Sequence, residues 1–156
     1  MKGLSVSRFP ATPVPGLVFR YPYLWKAEKL KGHDEGFKSR PCVVVVRYGP
    51  VKGLSGKFAV DVAPISHSPQ EGSAVELPSR VKSIMRLDDD ASWIVTSEMN
   101  RFVWPGTDLV PAYPARVDRP SQWHWGILPQ DIFEKVRAEI LMSRQAHENI
   151  VTRPSM

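Results

Sequence analysis

Hydrophobic and polar positions change period several times along the chain, and these changes divide it into elements. In Gly16 to Tyr23, Leu17, Phe19, Tyr21 and Tyr23 share one face while Val18 and Arg20 take the other, the period of a strand. Pro22 places that strand at an edge or near its own end. Cys42 to Tyr48, CVVVVRY, does not alternate, and a continuous β-branched run predicts a strand buried on both faces. Lys57 to Pro64 puts Phe58, Val60 and Val62 on one face; Ala74 to Leu77 and Ser92 to Ser97 are shorter strand candidates. Trp123-His124-Trp125 reads as a short strand or a hydrophobic clasp. The one helical period runs from Pro129 to Gln145, where Ile132, Phe133, Val136, Ile140 and Leu141 form an apolar stripe. Pro129 and Asp131 suit its start and Arg144 its end.

The stretches between these elements are marked by turn formers. Residues 1–15 carry three prolines and read as an arm. Trp25 to Arg40 is a charged loop, and glycines and a proline make 49–56 a flexible connection. Pro105 to Pro120, with four prolines, reads as a surface excursion, and residues 147–156 as a fraying tail. Five short strands, many turns and one terminal amphipathic helix predict a mainly β chain, a small barrel over residues 16–146 flanked or plugged by the helix.

Composition narrows the class. At 156 residues there is room for one domain of ordinary size. A hydrophobic share of 42% with 24% charged residues excludes general disorder. The single Cys42 excludes an intramolecular disulfide and any multi-cysteine zinc site. No apolar run reaches the length of a membrane span, and MKGLSVSRFPATPVPG lacks the apolar stretch of a secretory signal. The expectation is a soluble cytoplasmic protein with no membrane partner.

Charge is uneven. Residues 1–47 hold nine Lys or Arg against three acids, while the twelve bases and thirteen acids that follow nearly cancel. A basic stripe beside a loop attracts phosphate polyanions; the plainer alternative is a solvated lysine-rich loop.

Within this stripe, the loop from Gly32 to Pro41 gathers His33, Lys38, Ser39 and Arg40 just before the buried strand, with Lys31 at its start. An arginine held there can bind phosphate oxygens through two parallel hydrogen bonds, and a nearby histidine can move a proton near neutral pH. The alternative makes Arg40 an ion-pair partner of an acid and His33 an ordinary loop residue. A second group, Ser66-His67-Ser68, leaves the third strand together and can bond a phosphate or sugar, or simply cap a turn. There is no Gly-x-Ser-x-Gly elbow, no Gly-rich phosphate loop and no zinc spacing among His33, His67, His124 and His147. Asp88-Asp89-Asp90 reads as an acidic turn. Trp104, Trp123 and Trp125 offer faces on which bases stack, or else belong to the core.

Gly16-Leu17-Val18, then Gly32-His33-Asp34-Glu35-Gly36 and Arg40-Pro41-Cys42-Val43-Val44-Val45, resemble the opening of PemK/MazF-family toxins. Val62-Ala63-Pro64-Ile65-Ser66 is similar to that family's strand ending in Pro-aliphatic-Thr/Ser, and Leu128 to Val136 to its closing helix. The resemblance implies an SH3-like barrel with a terminal helix, usually a homodimer. It implies a metal-independent, sequence-selective endoribonuclease without a cofactor, the toxin of a type II toxin-antitoxin pair that halts translation and growth. Its implied partners are single-stranded RNA and a cognate antitoxin. By position, Arg40 matches the family's catalytic arginine, Ser66 its strand-end hydroxyl and His33 a loop histidine of some members. The family's Arg-Thr-Ile-Asp stretch is replaced by Asn100-Arg101-Phe102-Val103, with Arg101 one place along and no equivalent of the aspartate.

RNA cleaves itself when its 2′-hydroxyl attacks the adjacent phosphorus, which needs a base, an acid for the 5′-oxygen and positive charge on the phosphorane. On this reading His33 or Glu98 transfers protons, Arg40 and Arg101 stabilise charge, and Ser66 holds a phosphate oxygen or the 2′-hydroxyl. Lys31, Lys38, Ser39, His67 and Ser68 complete the expected RNA contacts. The competing expectation is a non-catalytic module on the same barrel, binding DNA, RNA or a protein.

Overall fold

The computed structural model describes residues 10–33, 36, 38–54, 56–70, 72–88, 90–105, 109–113, 115, 117–118 and 120–153. Most of the expected N-terminal arm, the last three residues of the tail, the loop acids Asp34 and Glu35, and Asp89 of the acidic turn lie outside them.

Among the described residues, eight strands form the body: β1 Leu17–Tyr21, β2 Arg40–Tyr48, β3 Phe58–Ser66, β4 Ala74–Glu76, β5 Trp93–Val95, β6 Met99–Trp104, β7 His124–Ile127 and β8 Ile150–Thr152. Four helices among those residues accompany them: α1 Lys26–Leu30, α2 Ser79–Met85, α3 Gln130–Met142 and α4 Arg144–Glu148. The hydrogen-bonded path runs β4-β5-β3-β2-β1-β7, with β6 on β3 and β8 on β6. All pairs are antiparallel except β6 with β8. The mainly β expectation with a C-terminal helix holds; the ladders among the described residues form an open sheet and not a closed barrel.

The long strand β3 organises this sheet. One edge carries β2 along most of its length. The other edge is divided: β6 pairs with Phe58 to Val62, and β5 pairs with Ile65 and Ser66. The valine run of β2 explains why the sheet is buried on both sides. Val43 and Val45 pack with Val18, Ala63 and Ile65 beneath α2, α3 and α4. Cys42 and Val44 pack with Phe19, Tyr21, Val60, Val62 and the aromatics of β6 on the opposite face. That second face is covered by the chain before β1 and the chain after β6: Trp104 is fully buried and its Nε1 donates to the Pro10 carbonyl, while Arg20 bridges to Val110. Trp104 is therefore core, not a stacking surface. His124 is also buried and begins β7, whose Gly126 takes φ +95° opposite Val18 where the β1–β7 register shifts.

Three local outcomes differ from the pattern reading. The expected single helix from Pro129 to Gln145 breaks at Ser143, whose extended backbone and Oγ cap a new helix by accepting from the Ala146 N–H at 3.0 Å. Leu141 leaves the stripe and is 57% exposed. The tail does not fray through residue 153: β8 runs parallel to β6, and Arg153 is buried.

The buried amide of Asn100 ties these parts together. Its Oδ1 accepts from the Leu24 N–H at 2.9 Å and its Nδ2 donates to the Leu24 carbonyl at 2.8 Å. Arg153 Nη1 donates to the Pro22 carbonyl at 2.7 Å and to Asn100 Oδ1 at 3.3 Å. Three segments remote in sequence thus satisfy one another where water is excluded. Asn100→Leu keeps the bulk but strands two buried backbone groups, so the protein should lose on the order of 3 kcal/mol. Urea unfolding checks this; a loss under about 1 kcal/mol would show that the clasp is dispensable.

Candidate functional site

The site is built on the segment that Asn100 grips. Pro22 has no N–H to continue the β1 ladder, so the chain leaves the sheet there. Leu24 is clamped, which fixes its neighbours Tyr23 and Trp25. Glu28 Oε1 then accepts from the Trp25 N–H at 3.0 Å and starts α1. The Tyr23 and Trp25 rings meet edge to face with centroids 5.1 Å apart.

Two of the expected catalytic residues border this aromatic pair. The Arg40 guanidinium lies over the Trp25 ring, 5.0 Å from its centroid. Glu98 Oε1 accepts from the Tyr23 hydroxyl at 3.0 Å and from the Lys26 N–H at 2.9 Å. Among the described residues Arg40 has no carboxylate partner, and its Nε is buried with no hydrogen bond. The ion-pair alternative for Arg40 therefore has no acid to draw on in the described structure.

Burial controls the protonation of the cluster. It raises the Glu98 carboxyl above its ordinary 4.5, against the pull of the Lys26 N–H and the Tyr23 hydroxyl. Burial, followed by the Glu98 charge, pushes the Tyr23 phenol well up, so Tyr23 remains a donor. Burial likewise pushes the Cys42 thiol up, which makes it a packing residue and not a nucleophile.

The basic loop is pinned over the same place. A side chain at Gly36 would fall 2.2 Å from the Tyr23 carbonyl oxygen and 2.7 Å from that of Pro22, so only glycine permits this backbone approach. Lys31 and Lys38 are exposed, and Ser39 and His33 are half-buried, with the His33 N–H donating to the Glu28 carbonyl at 3.1 Å.

The remaining expected residues lie elsewhere. Ser66 is buried, and its Oγ accepts from the Ser68 N–H and the Gln70 amide, which closes a turn. The β2–β3 ladder ends with Cys42 opposite Pro64, so alternation gives Arg40 and Ser66 the same side, each two residues past that pair. His67 faces away towards the acidic turn, with Nδ1 3.2 Å from the Ala91 carbonyl and Nε2 3.3 Å from Asp88. His67, Asp88 and Asp90 bring ligand-type atoms within 4.8 Å of one another, all exposed. The buried Lys82 ammonium already lies 2.9 Å from Asp88 and 2.8 Å from Ser92.

Arg101 projects from the other face of the sheet. Its neighbours Asn100 and Phe102 point to the aromatic side, whereas Arg101 sits opposite Asp61 on β3. Its Nε and Nη2 donate to Asp61 at 2.7 and 2.9 Å, and the Tyr48 hydroxyl donates to Asp61 Oδ2 at 2.7 Å. The hydrogen bonds to Asp61 hold Arg101 firmly protonated. The structure therefore sets Arg40 and Glu98 against the two members of one aromatic pair and separates Arg101 and His67 from them, while Lys31, His33, Lys38 and Ser39 belong to the adjoining loop. Tyr23 and Trp25 are the members that sequence reasoning did not assign; the aromatic density of YPYLW just before the basic stripe is the available signal.

No protein-family model matches the chain, and no curated protein does. No helix among the described residues is long and apolar enough to cross a membrane.

Glu98→Gln keeps an acceptor for both donors and removes the buried charge. Because the native carboxyl titrates above 4.5, the native state holds the extra proton just above that pH, and wild type loses stability relative to the variant as pH rises through that window. Melting curves from about pH 4 to pH 7 should show the variant's advantage growing with pH; a flat or falling difference contradicts the buried carboxylate. Arg101→Met leaves Asp61, 1% exposed, without its cation and should cost about 3 kcal/mol in urea unfolding. Adding Asp61→Asn should recover most of that loss.

Proposed function

We propose that the chain is a metal-independent endoribonuclease of the PemK/MazF toxin type, acting at the Arg40–Glu98 group. The observation that carries this reading is the placement of Arg40, without a carboxylate partner among the described residues, and the buried Glu98 carboxylate on either side of one aromatic pair. Each part has a use in RNA cleavage. Trp25 and the loop lysines favour a single strand, through stacking and phosphate attraction. Glu98 takes the proton of the 2′-hydroxyl as that oxygen bonds to phosphorus. Arg40 stabilises the charge on the phosphorane, and His33 supplies the proton to the departing 5′-oxygen, leaving a 2′,3′-cyclic phosphate. The need for a 2′-hydroxyl selects RNA over DNA.

In this reading the open sheet with its terminal helix is a variant of the SH3-like barrel, with additions at 49–56 and 105–126. The working unit is a cytoplasmic homodimer held in check by a cognate antitoxin. Arg101 contributes to the sheet on the opposite face and not to the reacting phosphate.

A second reading has its own support. Both donors to Glu98 Oε1 come from the protein, which suits a structural acceptor in a module that binds nucleic acid without turnover.

Single-stranded RNA incubated with the purified protein in chelator distinguishes the two. Cleavage to 2′,3′-cyclic phosphate ends is expected, with Arg40→Ala lowering the rate about 100-fold or more in a folded protein. Equal products from wild type and Arg40→Ala would remove Arg40 from the chemistry. Salt-dependent RNA binding with no cleavage by wild type would establish the binding module.

A further inference from the structure

On the sheet face opposite Arg40, a groove of about 500 Å³ opens between β2, β3 and β6 on one side and α3, α4 and β8 on the other. Its floor is apolar and includes Val45, Met99, Phe133 and Ile140. Two exposed lips continue that surface: Tyr48 is 42% and Leu141 57% exposed. Both the volume and the mostly apolar lining are those of small-molecule sites.

The charged groups of the groove are mostly arginines. Arg47, Arg101, Arg137 and His147 line it, and Asp61 is the one acid among the described lining residues. Asp61 is neutralised, since Arg101 and the Tyr48 hydroxyl take up both its oxygens. Arg101 keeps its Nη1 without a partner among the described residues, because only Nε and Nη2 make bonds. Arg47 is occupied over the Phe58 ring, 5.2 Å from its centroid. Arg137 is exposed on α3 and has no partner among the described residues.

We propose that this groove binds a small carboxylate-headed amphiphile, its tail on the apolar floor and its head between Arg101 and Arg137. The match is one of charge and shape. An uncommitted guanidinium, with a second held rigidly by Asp61, suits a singly charged planar anion. The apolar floor rewards an aliphatic tail in proportion to the area it covers. The site stands apart from the RNA reading, since the sheet separates it from Arg40 and Glu98.

Calorimetric titration of the full chain with decanoate, kept below micelle formation, tests the proposal. Saturable one-to-one binding is expected, about tenfold or more tighter than decanol, which has the same tail and no charge. Arg137→Ala should weaken decanoate about tenfold and leave decanol unchanged. Leu141→Glu, which puts a carboxylate on the apolar lip, should abolish binding of both. Both positions are exposed, and unchanged melting curves verify that the variants fold. The proposal is overturned by absence of saturable decanoate binding, by equal affinity for decanol, or by insensitivity to both variants. Co-sedimentation with phosphatidylglycerol vesicles provides the remaining arm: vesicle binding without decanoate binding would make the face a membrane contact and sink the ligand site.

Discussion

A single buried amide sets the geometry of half the molecule. Asn100 sits in the middle of a strand, where a polar side chain costs free energy unless every hydrogen-bonding group is met. It meets them by holding both backbone groups of Leu24 and by accepting from Arg153. The chain leaving β1 therefore cannot drift from β6, and the C-terminal strand is bound to both. Tyr23 and Trp25 take their positions from that clasp, and Arg40 and Glu98 take theirs from Tyr23 and Trp25.

The sheet has hydrophobic material on both sides, so it separates the polar chemistry as well. Neighbouring residues on β6 serve opposite faces: Asn100 supports the aromatic side, and Arg101 answers Asp61 on the helical side. Proximity in sequence is then misleading. Arg40 and Arg101 look like a pair of phosphate-binding arginines in a linear reading, yet the layer of Cys42, Val43, Val44 and Val62 lies between their environments. The two cations also differ in state. Arg101 is committed to a carboxylate, whereas among the described residues Arg40 has the face of Trp25 and a buried, unpartnered Nε. A guanidinium without a counter-ion gains most from an incoming anion.

What could be read from the residues follows from how local the signal was. The valine run of β2 announced two-sided burial because four β-branched residues in a row leave no polar face. The apolar stripe of α3 was equally plain, since one turn repeats the next. β6 was hidden: Asn100 and Arg101 place amide and charge in consecutive positions, and only partners far away in sequence, Leu24 and Asp61, make them acceptable in a strand. β8 is three residues long and pairs in parallel with β6, so nothing near it signals pairing. In α2 the buried Lys82 breaks the apolar pattern, and its ammonium is satisfied by Asp88 and Ser92. At the site, Arg40 and Glu98 were visible as residue types, but the aromatic pair between them was not, because Tyr23 continues the alternation of the first strand and Trp25 opens a charged loop, and only contacts remote in sequence bring them to the site.

Gly36 extends the same logic to the basic loop. The Pro22 and Tyr23 carbonyls occupy the place a Cβ would take, so Gly36 is registered against that segment by backbone contact. The surface charges that follow, Lys38 and then Arg40, are thereby placed relative to the segment that Asn100 clamps. A lysine-rich loop that serves only solubility has no need of such registration, because solvated charge works in any arrangement. A loop that must present cations to a phosphate chain does need it, since the geometry has to exist before the ligand arrives. The closeness of that one glycine thus fixes where the cations after it stand relative to the clamped segment.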